Sequence, residues 1–339
     1  MRYLSAFFCT FVIAIMGYAS LIPALGPTPV SAEYWVQELL VIKRDIVKKY
    51  AGTKKIIIAS GSSTLFSIDA QLLTERLGMP VINLGLMGGM PLARILEEAA
   101  AAARPKDILL LALEPEYYCR EETTGFDEWV LRNAIAWDHT YWRQLGVIER
   151  VTAIRQLGLK FPLDMLIARF DQAFRPATIQ PRLDALDEAT VLRKFSNPPA
   201  IADNLYSVFK MSPYGDIKNT SDSNYSGTPR RADQPIKICA ESFDKLSAFV
   251  SQQRSNDVSV FFLNTPYVEV DGLDSMAVET ESNRFTAKLS ALAPVIDDRQ
   301  SLIFNRSLFL NSELHLNSLG RTLRTEQLFV LLRKLIETP

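Results

Sequence analysis

Histidine is nearly absent from this chain of 339 residues: only His139 and His315 occur, beside three cysteines, Cys9, Cys119 and Cys239. These soft ligands are too few for a closed structural zinc site, which leaves a carboxylate-bound metal open; no metal or cofactor is expected. Net charge is missing too. The 37 Lys and Arg nearly balance the 38 Asp and Glu, leaving a formal charge of -1. That balance gives no electrostatic case for a nucleic-acid partner. No repeat at a fixed period is visible. The glycine-rich stretch Gly85 to Gly89 reads G-x-x-G-G, which matches neither dinucleotide nor P-loop spacing and argues against a nucleotide site. Cys119 and Cys239 are read as free buried thiols, with a disulfide as the alternative in an oxidising compartment.

What the chain does have begins at its N-terminus. After Arg2 no charged residue appears until Glu33, an apolar run long enough to cross a bilayer as a helix. Val30-Ser31-Ala32 carries the small-residue pattern of a signal-peptidase site, so residues 1–32 are either an uncleaved signal-anchor or a signal peptide, the anchor being preferred. Arg2 favours an N-terminus inside and an exported body. Lys43, Arg44, Lys48, Lys49, Lys54 and Lys55 pull the other way, but they lie mostly beyond the window in which flanking charge sets orientation.

Beyond Ala32, apolar residues from Trp35 to Ile46 recur at helical spacing, and short apolar runs then alternate with helical patterns. Strands are expected at 55–60, 80–84, 107–113, 258–263 and 294–297. Helices are expected near 65–77, 92–103, 239–254, 279–292 and 318–336. Such alternation predicts a three-layer, doubly wound parallel sheet in an α/β domain over residues 33–338. Residues 125–235 interrupt it as a helical insertion, expected to cover one end of the sheet, and a polar segment from Asp216 to Gln234 is expected to be a mobile loop.

Three stretches carry candidate chemistry. Gly61-Ser62-Ser63 follows the first strand, where a serine on a strand-to-helix turn has its hydroxyl at the ligand-binding edge of the sheet. The bland reading is a turn with a helix cap. Asn83-Leu84-Gly85 and the glycines after it end the second strand, where backbone N–H groups can approach an oxyanion or merely form a turn. His315 lies in FLNSELHLNSLGRTLRT before the last helix, placed to act as a base; His139 is read as an ordinary surface or packed residue. Glu114 and Glu116, after the third strand, are read as solvated loop acids or as walls of a substrate pocket.

In this order the three stretches resemble the SGNH, or GDSL-like, hydrolase superfamily. Within it, EYWVQELLVIKRDI, GSSTLFSID, NLGLMGG, LALEPEYY and HLNSLGRTLRT resemble the membrane-anchored bacterial members that act on cell-envelope polymers, such as D-alanine transfer and alginate O-acetylation proteins. The resemblance implies a flavodoxin-like SGNH fold and an exported esterase or O-acyltransferase at the inner membrane facing the periplasm. It implies a polysaccharide substrate and a membrane-bound O-acyltransferase as partner. By it Ser63 is the nucleophile, His315 the base, and Ser63 and Gly85 N–H groups, with Asn83, the oxyanion hole; Ser62 is a bystander where the family has Asp.

Two departures stand against it. The acid expected before the histidine is absent, with Asn311 and Ser312 in its place, so Asn311, Glu313 or a backbone carbonyl must orient the ring. The Gly-x-Asn-Asp block after the third strand is missing as well. Both departures leave a degenerate SGNH fold, serving as a carbohydrate-binding or assembly subunit, as the alternative function.

Overall fold

The computed structural model describes residues 2–25, 28–30, 33–119, 128–137, 142, 145–158, 160–198, 207–218, 220 and 225–337. His139, Ser31, Ala32 and the middle of the polar segment lie outside the described residues. Helix α1 covers Arg2–Leu25 and α2 covers Trp35–Lys49. Strand β1 (Ile56–Ser60) leads through the short helix α3 (Ser63–Ser67) into α4 (Ala70–Leu77), β2 (Val81–Gly85), α5 (Leu92–Ala102) and β3 (Ile108–Leu111). Helices follow: α6 (Glu128–Trp137), α7 (Val147–Leu157), α8 (Lys160–Phe174), α9 (Gln180–Leu186) and α10 (Glu188–Ser196). After them come α11 (Ala240–Ser255), β4 (Ser259–Phe262), β5 (Tyr267–Val268), α12 (Ser275–Ser290), β6 (Ile303–Phe304) and α13 (Ser318–Glu337).

The chain divides into two units, Met1–Glu38 with Glu121–Arg193, and Leu39–Arg120 with Lys194–Pro339. The second is an α/β unit on a parallel sheet ordered β2-β1-β3-β4. Strands β1, β2 and β3 are buried throughout and read as near-continuous apolar runs, interrupted inside only by Asn83, because both faces are covered. Ile56, Ile58, Ile108 and Leu110 pack with Leu73 of α4 and with Leu328 and Leu332 of α13. The alternate residues Ile57, Leu109 and Leu111 are equally buried; α5 packs against β1, and α11 against β4 and α5.

The expected strand at 294–297 shrinks to one parallel bridge, Phe262 with Val295, since Pro294 can supply only its carbonyl to the ladder. The expected helix over 65–77 splits in two. Ile68 is extended, and the Asp69 side chain accepts from the Leu72 N–H to start α4 afresh.

The polar segment is packed at its start. Asp216 and Ile217 are buried, Asp216 accepts from the Ala70 N–H, and the Ile217 N–H donates to the Leu65 carbonyl. These bonds, which no local pattern announces, pack the first two residues of the expected loop. Cys119 and Cys239 form a disulfide, joining the turn after β3 to the start of α11.

The first unit is helical. Val30, Leu131, Trp137, Trp142, Leu157, Phe161 and Met165 share a core of their own, so the inserted helices fold with the N-terminal stretch rather than sharing the core of the sheet. Among the described residues, no helix is long and apolar enough to cross a membrane; several side chains of α1 fall outside that set.

Candidate active site

Strands β1 and β2 end in register, Ser60 opposite Gly85, and the chain turns at Gly61-Ser62-Ser63 at the carboxyl edge of the sheet. A carboxylate clamps this turn. Glu114, just beyond β3 and 2% exposed, accepts from the Gly61 N–H at 2.9 Å and from the Ser63 N–H at 2.8 Å. A Cβ on Gly61 would stand 2.7 Å from Glu114 Oε1 and 2.9 Å from the Tyr117 hydroxyl, so glycine is required by close approach there. Tyr117 in turn donates to the Gly88 carbonyl at 2.7 Å, tying the loop after β2 to the loop after β3.

His315 is delivered from the other half of the α/β unit. Phe309 and Leu316 form an antiparallel bridge, and the Ser312 hydroxyl accepts from the Leu314 N–H. Ser67, the last residue of α3, donates to the Leu314 carbonyl and accepts from the Leu316 N–H, fixing the residues on either side of the histidine. The imidazole lies against the Phe66 ring, centroids 4.2 Å apart.

The serine that His315 reaches is Ser62. Its Oγ stands 2.9 Å from Nε2, while Nδ1 is 2.8 Å from Asn311 Oδ1. Asn311 can only accept through that oxygen, so the ring proton sits on Nδ1 and the Nε2 lone pair faces the serine hydroxyl. Ser63, expected as the nucleophile, points elsewhere: it is 1% exposed and its Oγ is buried without a hydrogen-bond partner. The reason is local. Ser63 is the first residue of α3 and Ser62 its cap, so the exposed corner of the turn falls one residue earlier than expected. Glu313 does not face the imidazole; it accepts from the Arg230 N–H.

The expected oxyanion donors are engaged elsewhere. The Ser63 N–H is held by Glu114, and the Gly85 N–H donates to Asn83 Oδ1 at 2.9 Å. Asn83 is fully buried, its Nδ2 donating to the Thr64 carbonyl. Gly85 is still inside β2, which is why its N–H turns inward. The glycine at the site is Gly88: a Cβ there would stand 2.9 Å from Ser62 Oγ and 3.8 Å from the Ser62 nitrogen. The Ser62 N–H makes no hydrogen bond among the described residues.

Sequence reasoning missed Glu114, which looked like a solvated loop acid. The available signal was its position, directly after a fully apolar strand at the same sheet edge as the serine turn. Glu116 instead lines a narrow cleft with Arg230, Tyr267, Glu313 and Leu314, its carboxylate 3.5 Å from the Arg230 guanidinium.

Burial shifts both titrating groups. It pushes the His315 imidazole down to about 3, so at neutral pH the ring is neutral with its Nε2 lone pair free, and burial opposes its taking up a proton. Burial raises Glu114 to about 7 against the opposing pull of the Ser63 and Gly61 N–H groups. The arrangement can deprotonate a serine hydroxyl and orient the base, but no carboxylate faces Nδ1 to offset the charge of an imidazolium. Among the described residues, no group of three or more His, Cys, Asp or Glu side chains stands together as a metal site. No protein-family model, curated protein or solved structure matches this chain.

Proposed function

We propose that the chain is an exported, membrane-tethered SGNH-like esterase or O-acyltransferase with a flavodoxin-like, doubly wound domain, acting on O-acyl groups of an extracellular polysaccharide. The observation that carries the proposal is the line from Ser62 Oγ through the two ring nitrogens of His315 to Asn311 Oδ1, with a hydrogen-bond length on each side of the ring.

In this reading Nε2 takes the Ser62 proton as Oγ attacks the acyl carbonyl. The tetrahedral intermediate collapses with Nε2 returning that proton to the departing sugar oxygen, leaving an acyl-serine. A second sugar hydroxyl or water then loses its proton to Nε2 and attacks the acyl-serine, and Ser62 recovers the proton as it leaves. The Ser62 N–H is the backbone donor open to the developing oxyanion. Losing one such donor typically costs about 2.7–4 kcal/mol of barrier. The polymer class follows from the resemblance of the serine, glycine and histidine stretches to envelope-polymer enzymes, with a membrane-bound O-acyltransferase as the acyl-donating partner. Two features support an exported body at the inner membrane: the uncharged run after Arg2 and the Cys119–Cys239 disulfide, a bond that persists in oxidising compartments.

A second reading is favoured by one observation. A buried imidazole with an amide rather than a carboxylate on Nδ1 holds a positive charge poorly, as a non-catalytic carbohydrate-binding or assembly subunit would tolerate. Labelling with a serine-directed phosphonate separates the two. The folded wild type should label, Ser63→Ala should label nearly as well, and Ser62→Ala and His315→Ala should not. No labelling of folded wild type would favour the binding subunit.

A further inference from the structure

Helix α8 is apolar on two faces. One face, Phe161, Met165 and Ala168, is buried in the helical core. The other carries Leu163, Leu166, Ile167, Phe170 and Phe174, all exposed, Phe174 at 71%. Their spacing places them in one stripe roughly 100° wide. Two apolar faces call for an apolar neighbour on each, and only one has it within the described residues. Val147 and Ile148 at the start of α7 are each 77% exposed as well.

We infer that this stripe of α8 lies in the surface of the phospholipid bilayer that α1 enters. The inference rests on the tether in the proposed function, and not on the acyl chemistry. The occupant is identified by continuity: α1 packs against α8 within the same unit, and α1 itself exposes Phe7, Phe8 and Ile13, so one apolar medium covers both helices. With 15 residues, α8 spans about 22 Å, too short to cross a hydrocarbon core. It also carries Asp164, paired with Arg132, and Asp171, paired with Arg175. Such a helix lies along the interface. Basic side chains border the stripe: Lys160 begins the helix, and Arg175, just past its end, sits 5.7 Å from the centre of the Phe170 ring, within reach of lipid phosphates.

The test uses the full-length protein with Cys9→Ser, so that a single introduced cysteine takes an environment-sensitive fluorophore. Labels at Leu166→Cys and Phe170→Cys are compared with one at Ala189→Cys, an exposed position on α10. The protein is reconstituted in vesicles of phosphatidylethanolamine and phosphatidylglycerol, with quenchers on the upper acyl chain or in water. The inference expects at least about twofold stronger acyl-chain quenching at Leu166 and Phe170 than at Ala189, and weaker quenching by aqueous iodide. Protein that floats with vesicles but whose stripe labels are quenched by iodide alone would overturn the inference and leave the tether standing. Protein that does not float would overturn both. Stripe labels shielded from both quenchers, with energy transfer between copies that grows with concentration, would show that a second copy covers the face, and would also overturn the inference.

Discussion

The sheet unit and the helical unit handle apolar surface differently. In the sheet unit, four large apolar residues are exposed among the described residues, Met276, Leu319, Leu323 and Val330. In the helical unit, the smaller of the two, fourteen are exposed among the described residues, five of them in one stripe of α8. The sheet unit also spends its buried polar groups on precise placement. Lys43, fully buried and pushed down to about 7 by burial, donates to the Asn83 and Gly215 carbonyls at 2.5 Å. It thereby pins β2 to the turn that holds Asp216. The contrast separates two ways of treating apolar side chains: one unit encloses nearly all of them around a sheet, and the other leaves a stripe of them exposed on α8.

The sharpest break in that contrast lies at the serine turn. Ser62→Ala should lower the rate of acyl transfer or probe labelling by at least about a thousandfold, roughly 4 kcal/mol of barrier. Ser63→Ala should stay within a few-fold, as measured by single-turnover kinetics. Equal losses at both would mean that the turn is only structural.

The two faces of α8 give the next largest difference. Phe161→Ala should cost about 3–5 kcal/mol in denaturant unfolding, because its ring is 1% exposed in the helical core. In the absence of lipid, Phe170→Ala should stay within about 0.5 kcal/mol. Joining the turn after β3 to α11 across 120 residues, the disulfide should contribute about 2–5 kcal/mol, read as the loss in Cys119→Ser with Cys239→Ser.

The α/β alternation was legible because IIIAS, VINLG and ILLL are buried on both faces and so are almost wholly apolar, with only the buried Asn83 interrupting and Ser60 closing a strand. That the serine turn and His315 share one edge of the sheet was legible, but not the residue that Nε2 meets. That residue was hidden because the choice between Ser62 and Ser63 depends on where α3 begins and on a carboxylate 51 positions away, neither of which a local pattern encodes. The partnership of the inserted helices with the N-terminal stretch was likewise hidden, since apolar spacing says that a face is buried and not against what.

Smaller effects concern pH. Charged Glu114 can hold both N–H groups, and its protonation below about pH 7 weakens that clamp. Wild-type labelling should therefore fall as pH drops through about 7, while Glu114→Gln should be flat there at a level about 10-fold lower. His315 should add no fall near 6.5, because burial keeps it neutral to about 3. Its sign in stability is fixed: the unfolded chain binds this proton between about 6.5 and 3 and the folded chain does not. Stability should thus be lost as pH falls through that window, by up to about 5 kcal/mol, and His315→Gln should lose less.

The central claim is an acyl-serine at Ser62. The direct measurement is peptide mapping by mass spectrometry after rapid quenching of the folded protein with an activated acetyl ester. An acetyl adduct on Ser62, absent in His315→Ala, is the predicted result; an adduct on Ser63, or none from folded protein, would contradict it.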